Sequence, residues 1–207
     1  TNLTGHPLAT NNPSFTASVA TYPISVGAGG GQVAAGPASS PNNGTPSFIG
    51  PPGSKLVEST GGGGSANYPS TPGRNGGSGG GGSSTPTTAG YGLNPTTPSP
   101  EGGPSPHTEG YPGGSGVGGG GGAGGAGNSG SPFVGGPGVQ VLIAGSSTAT
   151  GVGALNPGPG QYQWFAGGGS GAPSSDPSSV AGGVGGGGKG GYKTEPGKDG
   201  QQSTGGG

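Results

Sequence analysis

The sequence contains no cysteine and no methionine, and charged residues fill only 5% of its 207 positions. Without cysteine there is no disulfide framework and no thiolate metal site. Five Lys/Arg against six Asp/Glu give a net charge of -1, which withholds the cationic surface that grips nucleic-acid phosphates. No apolar run approaches the ~18 residues that a membrane span needs. Apolar residues amount to 23%, whereas an ordinary globular domain is about half apolar and about a quarter charged. Leu, Ile, Val and Phe are too scarce to fill a side-chain core at normal density. Helices are not expected either, because no stretch free of Gly and Pro carries a 3.6-residue apolar period.

What is there instead is glycine and proline, with 62 Gly and 24 Pro. At this level, without a strict period, the default is disorder. Each glycine also gives up about 1–2 kcal/mol of backbone entropy on ordering. Disordered tracts usually carry high net charge, and this chain does not. An ordered state therefore needs a mechanism that works without side chains.

Three textures alternate along the chain. Short apolar segments are expected to be strands: residues 15–26 (FTASVATYPISV), 139–144 (VQVLIA) and 162–165 (YQWF). Pro23 favours an edge position for the first of them. Nearly pure glycine forms the second texture, at residues 27–31, 61–64, 76–82, 110–127, 166–171, 181–191 and 205–207. Segments rich in Pro, Ser, Thr and Asn, such as ASSPNNGTPSFIGPPGS and LNPTTPSPEGGPSP, join the glycine runs and read as loops with turn chemistry. The cycle is irregular in length, so it is not a collagen repeat.

Extended polyglycine can adopt the left-handed helix of three residues per turn and ~3.1 Å rise that polyproline also uses. Such a helix makes no internal hydrogen bonds, so its amides and carbonyls are free to bond to neighbouring helices. Weaker Cα–H···O contacts would add to these. Any Cβ facing the interior then becomes an obstruction. The expected fold class is irregular and all-coil: a bundle, or sandwich, of polyglycine-II helices joined by Pro/Ser/Thr/Asn-rich loops, with a few short β-strands and no α-helix. Val139, Val141, Leu142, Ile143, Tyr162, Trp164 and Phe165 are the expected structural packing residues. Residues 1–26 read as a strand-like lead-in and residues 27–207 as the glycine-rich region. Thr1 is not an initiator Met and the chain stops inside a glycine run, so both ends are expected to be cuts from a longer polypeptide.

The ordered series YPISVGAGG, STGGGG, GRNGGSGGGG, YPGGSGVGGGGGAGGAGNSG, GGPGVQ, WFAGGGSGAP, AGGVGGGGKGG and DGQQSTGGG resembles glycine-rich tail-fibre proteins of marine and cyanobacterial phages. The likeness covers the chain from about Tyr22 onward. It implies a glycine-rich region of a virion appendage, similar in texture to distal adhesins that stack polyglycine-II helices and carry recognition loops at one end. Two departures stand out. The apolar strand that often closes this family is missing here, and the loops are long and rich in Pro and Thr, so no receptor identity carries over.

The chemistry-bearing residues do not assemble into a catalytic pattern. GxGxxG matches such as those within residues 116–127 arise from composition and lie outside any strand–turn–helix unit. Lys189 follows GGGG without the Ser or Thr of a phosphate loop. His6 and His107 are far apart with no converging ligands, and the scattered acids have no supporting pocket. The expectation is no enzyme, no cofactor and no metal. Asn2-Leu3-Thr4 and Asn43-Gly44-Thr45 fit the glycosylation pattern. Lys189, Lys193, Glu195, Lys198 and Asp199 gather five of the eleven charges, as a solvated loop or a contact surface.

Tyr68, Tyr91, Tyr111 and Tyr192 lie in or beside loops, where tyrosine serves equally as a binding residue or as a cap over the glycine bundle. Candidate receptor or partner contacts are Tyr68, Tyr91, His107, Tyr111, Tyr192 and Lys193, in loops 67–70, 91–94, 107–112 and 192–198. The functional expectation is an extracellular segment of a virion fibre that displays loops to a host-surface receptor, a glycan or an outer-membrane protein. Other fibre subunits and copies of the chain are the further expected partners, in a homo-oligomer or filament. A passive extracellular filament or matrix protein without a receptor is one alternative, and a disordered linker is another.

Overall fold

The computed structural model describes residues 17–31, 42–67, 71–83, 88–92, 109–141, 143, 152–154, 163–172, 180–191, 196–202 and 204–207. Among them there is no helix, and regular structure is limited to short antiparallel strands within irregular coil. Strands β1 (Ile24–Ser25), β2 (Ser47–Ile49) and β3 (Val57–Ser59) form one sheet in that order. Ile24 opposes Ile49, Ile49 opposes Val57, and Phe48 opposes Glu58. Strands β4 (Val139–Gln140) and β5 (Trp164–Phe165) form a second, two-stranded pair.

The strand expectations are met in part and corrected in part. Only Ile24 and Ser25 of the first expected segment are strand, and Pro23 directly before them accepts a bond from the Gly50 amide through its carbonyl. Strand β4 ends at Gln140, although the apolar pattern runs on. Residues 47–49, expected as loop, are instead the central strand of the first sheet. Phe48 and Ile49 supply the bulky side chains that a pleated surface favours. Gly50 turns the chain with a φ of 105°. Lys55 then ion-pairs with Glu58 and sits 5.0 Å from the centroid of the Phe48 ring.

Between and beyond these strands, glycine runs bond to one another through backbone, and their bonds recur at three-residue spacing. The amides of Gly76, Gly79 and Gly82 donate to the carbonyls of Tyr91, Tyr111 and Gly114. Those of Gly77 and Gly80 donate elsewhere, to Gly61 and Arg74. The carbonyls of Ser78 and Gly81 accept from a third quarter, Gly63 and Ala66, at 2.8 Å each. Residues 166–171 repeat the scheme. Gly167 and Ser170 donate to Gly185 and Gly188, Gly168 and Gly171 donate to Gly136 and Phe133, and the carbonyls of Ala166 and Gly169 accept from Ala123 and Gly120. Exposure follows the same count: Ser59, Gly62 and Ser65 are exposed, and the residues between them are not.

Glycine also forms the interior. The buried non-glycine residues among those described are Ala123, Val139, Ala154, Val180, Gln163 and Thr204; every other buried position is glycine. A Cβ built on Gly79, Gly80 or Gly81 would overlap the carbonyl oxygen of Gly90, Gly64 or Gly118 in turn. Three successive residues thus abut three different segments. The core is backbone packed on backbone.

Candidate functional site

A groove that gathers varied side chains lies where four segments meet, around residues 43, 64, 72–75 and 88–91. It is open and shallow, with a volume of about 420 Å³, and Asn43, Pro72, Arg74, Asn75, Thr88 and Tyr91 are among its lining residues. Two asparagine side chains hold its floor together. The Asn43 amide nitrogen donates to the Asn75 carbonyl at 2.8 Å, and its oxygen accepts from the Gly64 amide at 3.0 Å. The Asn75 side-chain oxygen accepts from the Tyr91 amide at 2.8 Å. Each asparagine replaces a backbone bond that the irregular chain would otherwise leave open.

Arg74 is fixed through its backbone and free at its tip. Its amide donates to the Gly64 carbonyl and its carbonyl accepts from the Gly80 amide, both at 2.9 Å. The residue itself is exposed, and among the described residues its guanidinium has no ion-pair partner. Tyr91 is 65% exposed, although its carbonyl accepts from Gly76 and its amide is held by Asn75. The groove therefore offers a mounted guanidinium, an exposed aromatic ring, the Thr88 hydroxyl and no acidic side chain.

Of the candidate contact residues, Tyr91 lines this groove. Tyr111 is half-buried in the glycine interior, with its amide donating to Gly122 and its carbonyl accepting from Gly79, both at 3.0 Å. Tyr68, His107, Tyr192 and Lys193 lie outside the described residues. Sequence reasoning did not single out Arg74. Its one signal was that it is the chain's sole arginine, set between Pro72 and a glycine run.

The packing candidates separate along β4 and β5. Val139 is buried, and Val141, Trp164 and Phe165 are half-buried. Ile143 is 68% exposed, because the chain turns out of the strand and the Ile143 amide bonds back to the Val141 carbonyl. Leu142 and Tyr162 lie outside the described residues. Ala154 pairs with the other edge of Trp164, whose indole Nε1 is buried without a hydrogen-bond partner among the described residues.

The remaining motifs fall as follows. Asn43, one of the two glycosylation matches, donates from its side-chain nitrogen to the Asn75 carbonyl. Asn2 lies outside the described residues. Lys189 and Lys198 oppose each other in an isolated antiparallel bridge, with the Lys198 amide donating to the Lys189 carbonyl at 2.8 Å. Among the described residues no group of three or more His, Asp or Glu side chains is arranged to hold a metal ion. No helix among them is long and apolar enough to cross a membrane.

Residues 5–207 match the glycine-rich domain family, and the chain belongs to it. No curated protein and no solved structure matches the chain.

Proposed function

We propose that the chain is a rigid glycine scaffold that displays loops at an extracellular surface, built from polyglycine-II helices. The observation that carries this reading is the three-residue spacing of backbone bonds in residues 76–82 and 166–171. A three-residue helix directs successive amides to three neighbours in rotation, and the exposure of Ser59, Gly62 and Ser65 fits the same rotation at the rim. The setting we propose is a virion appendage such as a phage tail fibre, supported by the likeness in the order of glycine runs and Tyr-Pro or Trp-Phe leads. In that setting the scaffold orients loops, including the one that carries Tyr91, toward a host-surface receptor.

Amide hydrogen exchange tests the scaffold at single-residue resolution. Gly76, Gly77, Gly79, Gly80 and Gly82 are expected to be protected, whereas Ser78 and Gly81, whose amides donate no backbone bond among the described residues, exchange faster. Exchange at coil rates across residues 76–82, 116–127 and 182–188 would leave the linker reading in place of this one. Adhesion of the whole chain to host cells tests the display role, and a protected lattice that adheres to none would remove it.

A passive filament is the second reading, and β1 favours it. Among the described residues this strand has one unpaired edge, and its Ile24 and the adjoining Val26 are 71% and 83% exposed. Such an edge is a template for pairing with another chain. Concentration-dependent fibre growth without host adhesion would decide for this reading.

A further inference from the structure

We infer that the groove at Arg74 and Tyr91 binds a carboxylated saccharide, which makes an acidic surface glycan the receptor class; the inference rests on the display role proposed above. Its free polar groups are biased toward donors. One N–H of the Asn43 side chain and the Asn43 and Asn75 oxygens are already engaged inside the protein. What remains for a ligand is the Arg74 guanidinium, the Asn75 amide nitrogen and the second N–H of Asn43, with the Thr88 and Tyr91 hydroxyls beside them. A set rich in donors, lacking any acidic side chain, selects an acceptor-rich and negatively charged ligand. The planar fork of arginine matches a carboxylate through two parallel bonds, which a lysine would not do.

The aromatic ring and the shape of the groove specify a sugar as the carrier of that carboxylate. Tyr91 presents an exposed ring with an apolar face and a polar tip, suited to the C–H face of a pyranose. The groove is shallow and about 420 Å³ in volume, at the lower part of the range for small-molecule sites. Its floor is preorganised, since Asn43 and Asn75 tie together the segments at residues 43, 64, 75 and 91. Little ordering cost is then left for binding. Exposed loops gain affinity by such preorganisation only where their backbone is fixed, and Arg74 and Tyr91 are both fixed through lattice bonds.

The test uses the whole chain with a linear trimer of galacturonate, and the neutral galactose trimer as its partner probe. Binding is read from amide shifts at Asn75 and Tyr91 and from the titration midpoint. The acidic trimer is expected to bind at least tenfold more tightly than the neutral one. Arg74→Gln should abolish that preference, and Tyr91→Ala should weaken both probes. Arg74→Gln alters an exposed side chain and leaves its backbone bonds in place, and unchanged glycine protection would verify that the scaffold is intact. Equal affinity for the neutral trimer would overturn the inference, as would unchanged binding by Arg74→Gln. Competition at equal concentration by acetate or inorganic phosphate would reduce the groove to a nonspecific anion attractor, and equal binding of hexaglutamate would make the partner a peptide. If the chain adheres to host cells but ignores galacturonate, the inference fails and the display role stands. If it binds galacturonate but adheres to no cell, the display role fails and the groove stands.

Discussion

Around Gly168, in the interior, the backbone meets a different neighbour on each side: its amide donates to Gly136, its carbonyl accepts from Gly183, and its Cα faces Gly120. Around Gly62, at the rim, the carbonyl accepts from Gly44, while the position where a Cβ would stand is open to solvent. Both residues are glycines in hydrogen-bonded runs, and the comparison separates two uses of one amino acid. In the interior the missing side chain lets neighbouring backbones close to bonding distance. At the rim it only loosens the unfolded chain. Composition treats the two alike, but the lattice does not.

The sharpest way to break this comparison is to add a methyl group on each side of it. A Cβ on Gly168 would overlap the Gly120 carbonyl oxygen, and backbone cannot move aside as a flexible side chain can. Gly168→Ala is expected to destabilise the fold by about 3 kcal/mol or more, the upper range for overpacking. The midpoint of chemical unfolding measures it. Ala123 serves as the internal control, since it is buried in an adjacent run and bonds to Ala166. Its presence means that the obstacle is the direction a methyl would take, not the methyl itself. A Gly168→Ala variant as stable as the parent would remove the close-packed backbone core.

A middle-sized effect is expected where a side chain does the joining. Asn43 carries two bonds, to Asn75 and from Gly64, that link three segments. Asn43→Ala is expected to cost about 0.5–1.5 kcal/mol, because both lost bonds are exposed and water can take the place of the missing partner. The loss should be local, so exchange should quicken at Gly64 and Tyr91 while Gly168 and Gly183 keep their protection. Uniform acceleration across both regions would mean that the lattice opens as a single unit, and the interior–rim distinction would then hold only for sterics.

How much of this was legible in the sequence depends on whether the signal was local. The absence of helix among the described residues and the glycine interior follow from composition, and β4 and β5 announced themselves through Val139, Trp164 and Phe165. Strands β2 and β3 did not. Phe48 and Ile49 form an apolar doublet between prolines, and their strand character comes from pairing with Ile24, distant in the chain, and with Val57 across a connection that reads as turn. The groove was half legible. Tyr91 was marked as a loop aromatic, whereas nothing in the sequence singled out Arg74 beyond its being the sole arginine. Asn43 matched a glycosylation pattern, and only the fold reveals that its amide nitrogen donates to Asn75. Side chains that stand in for backbone bonds leave no periodic trace.

The smallest expected effect is the most discriminating, because its sign differs from the rest. Nothing lies within 4 Å of a Cβ built on Gly62, and the residue is exposed. Its φ lies outside the left-handed region, so alanine can adopt the same backbone without strain. Gly62→Ala should then stabilise the chain by about 0.4–1 kcal/mol, by narrowing the unfolded ensemble. A unfolding midpoint shifted upward would mean that the rim is ordered in the geometry described, since a coil gains nothing from a substitution that restricts folded and unfolded states alike. An unchanged midpoint would place Gly62 in a frayed segment. A lowered midpoint would mean that another chain packs against this face, so that the rim is itself an interior.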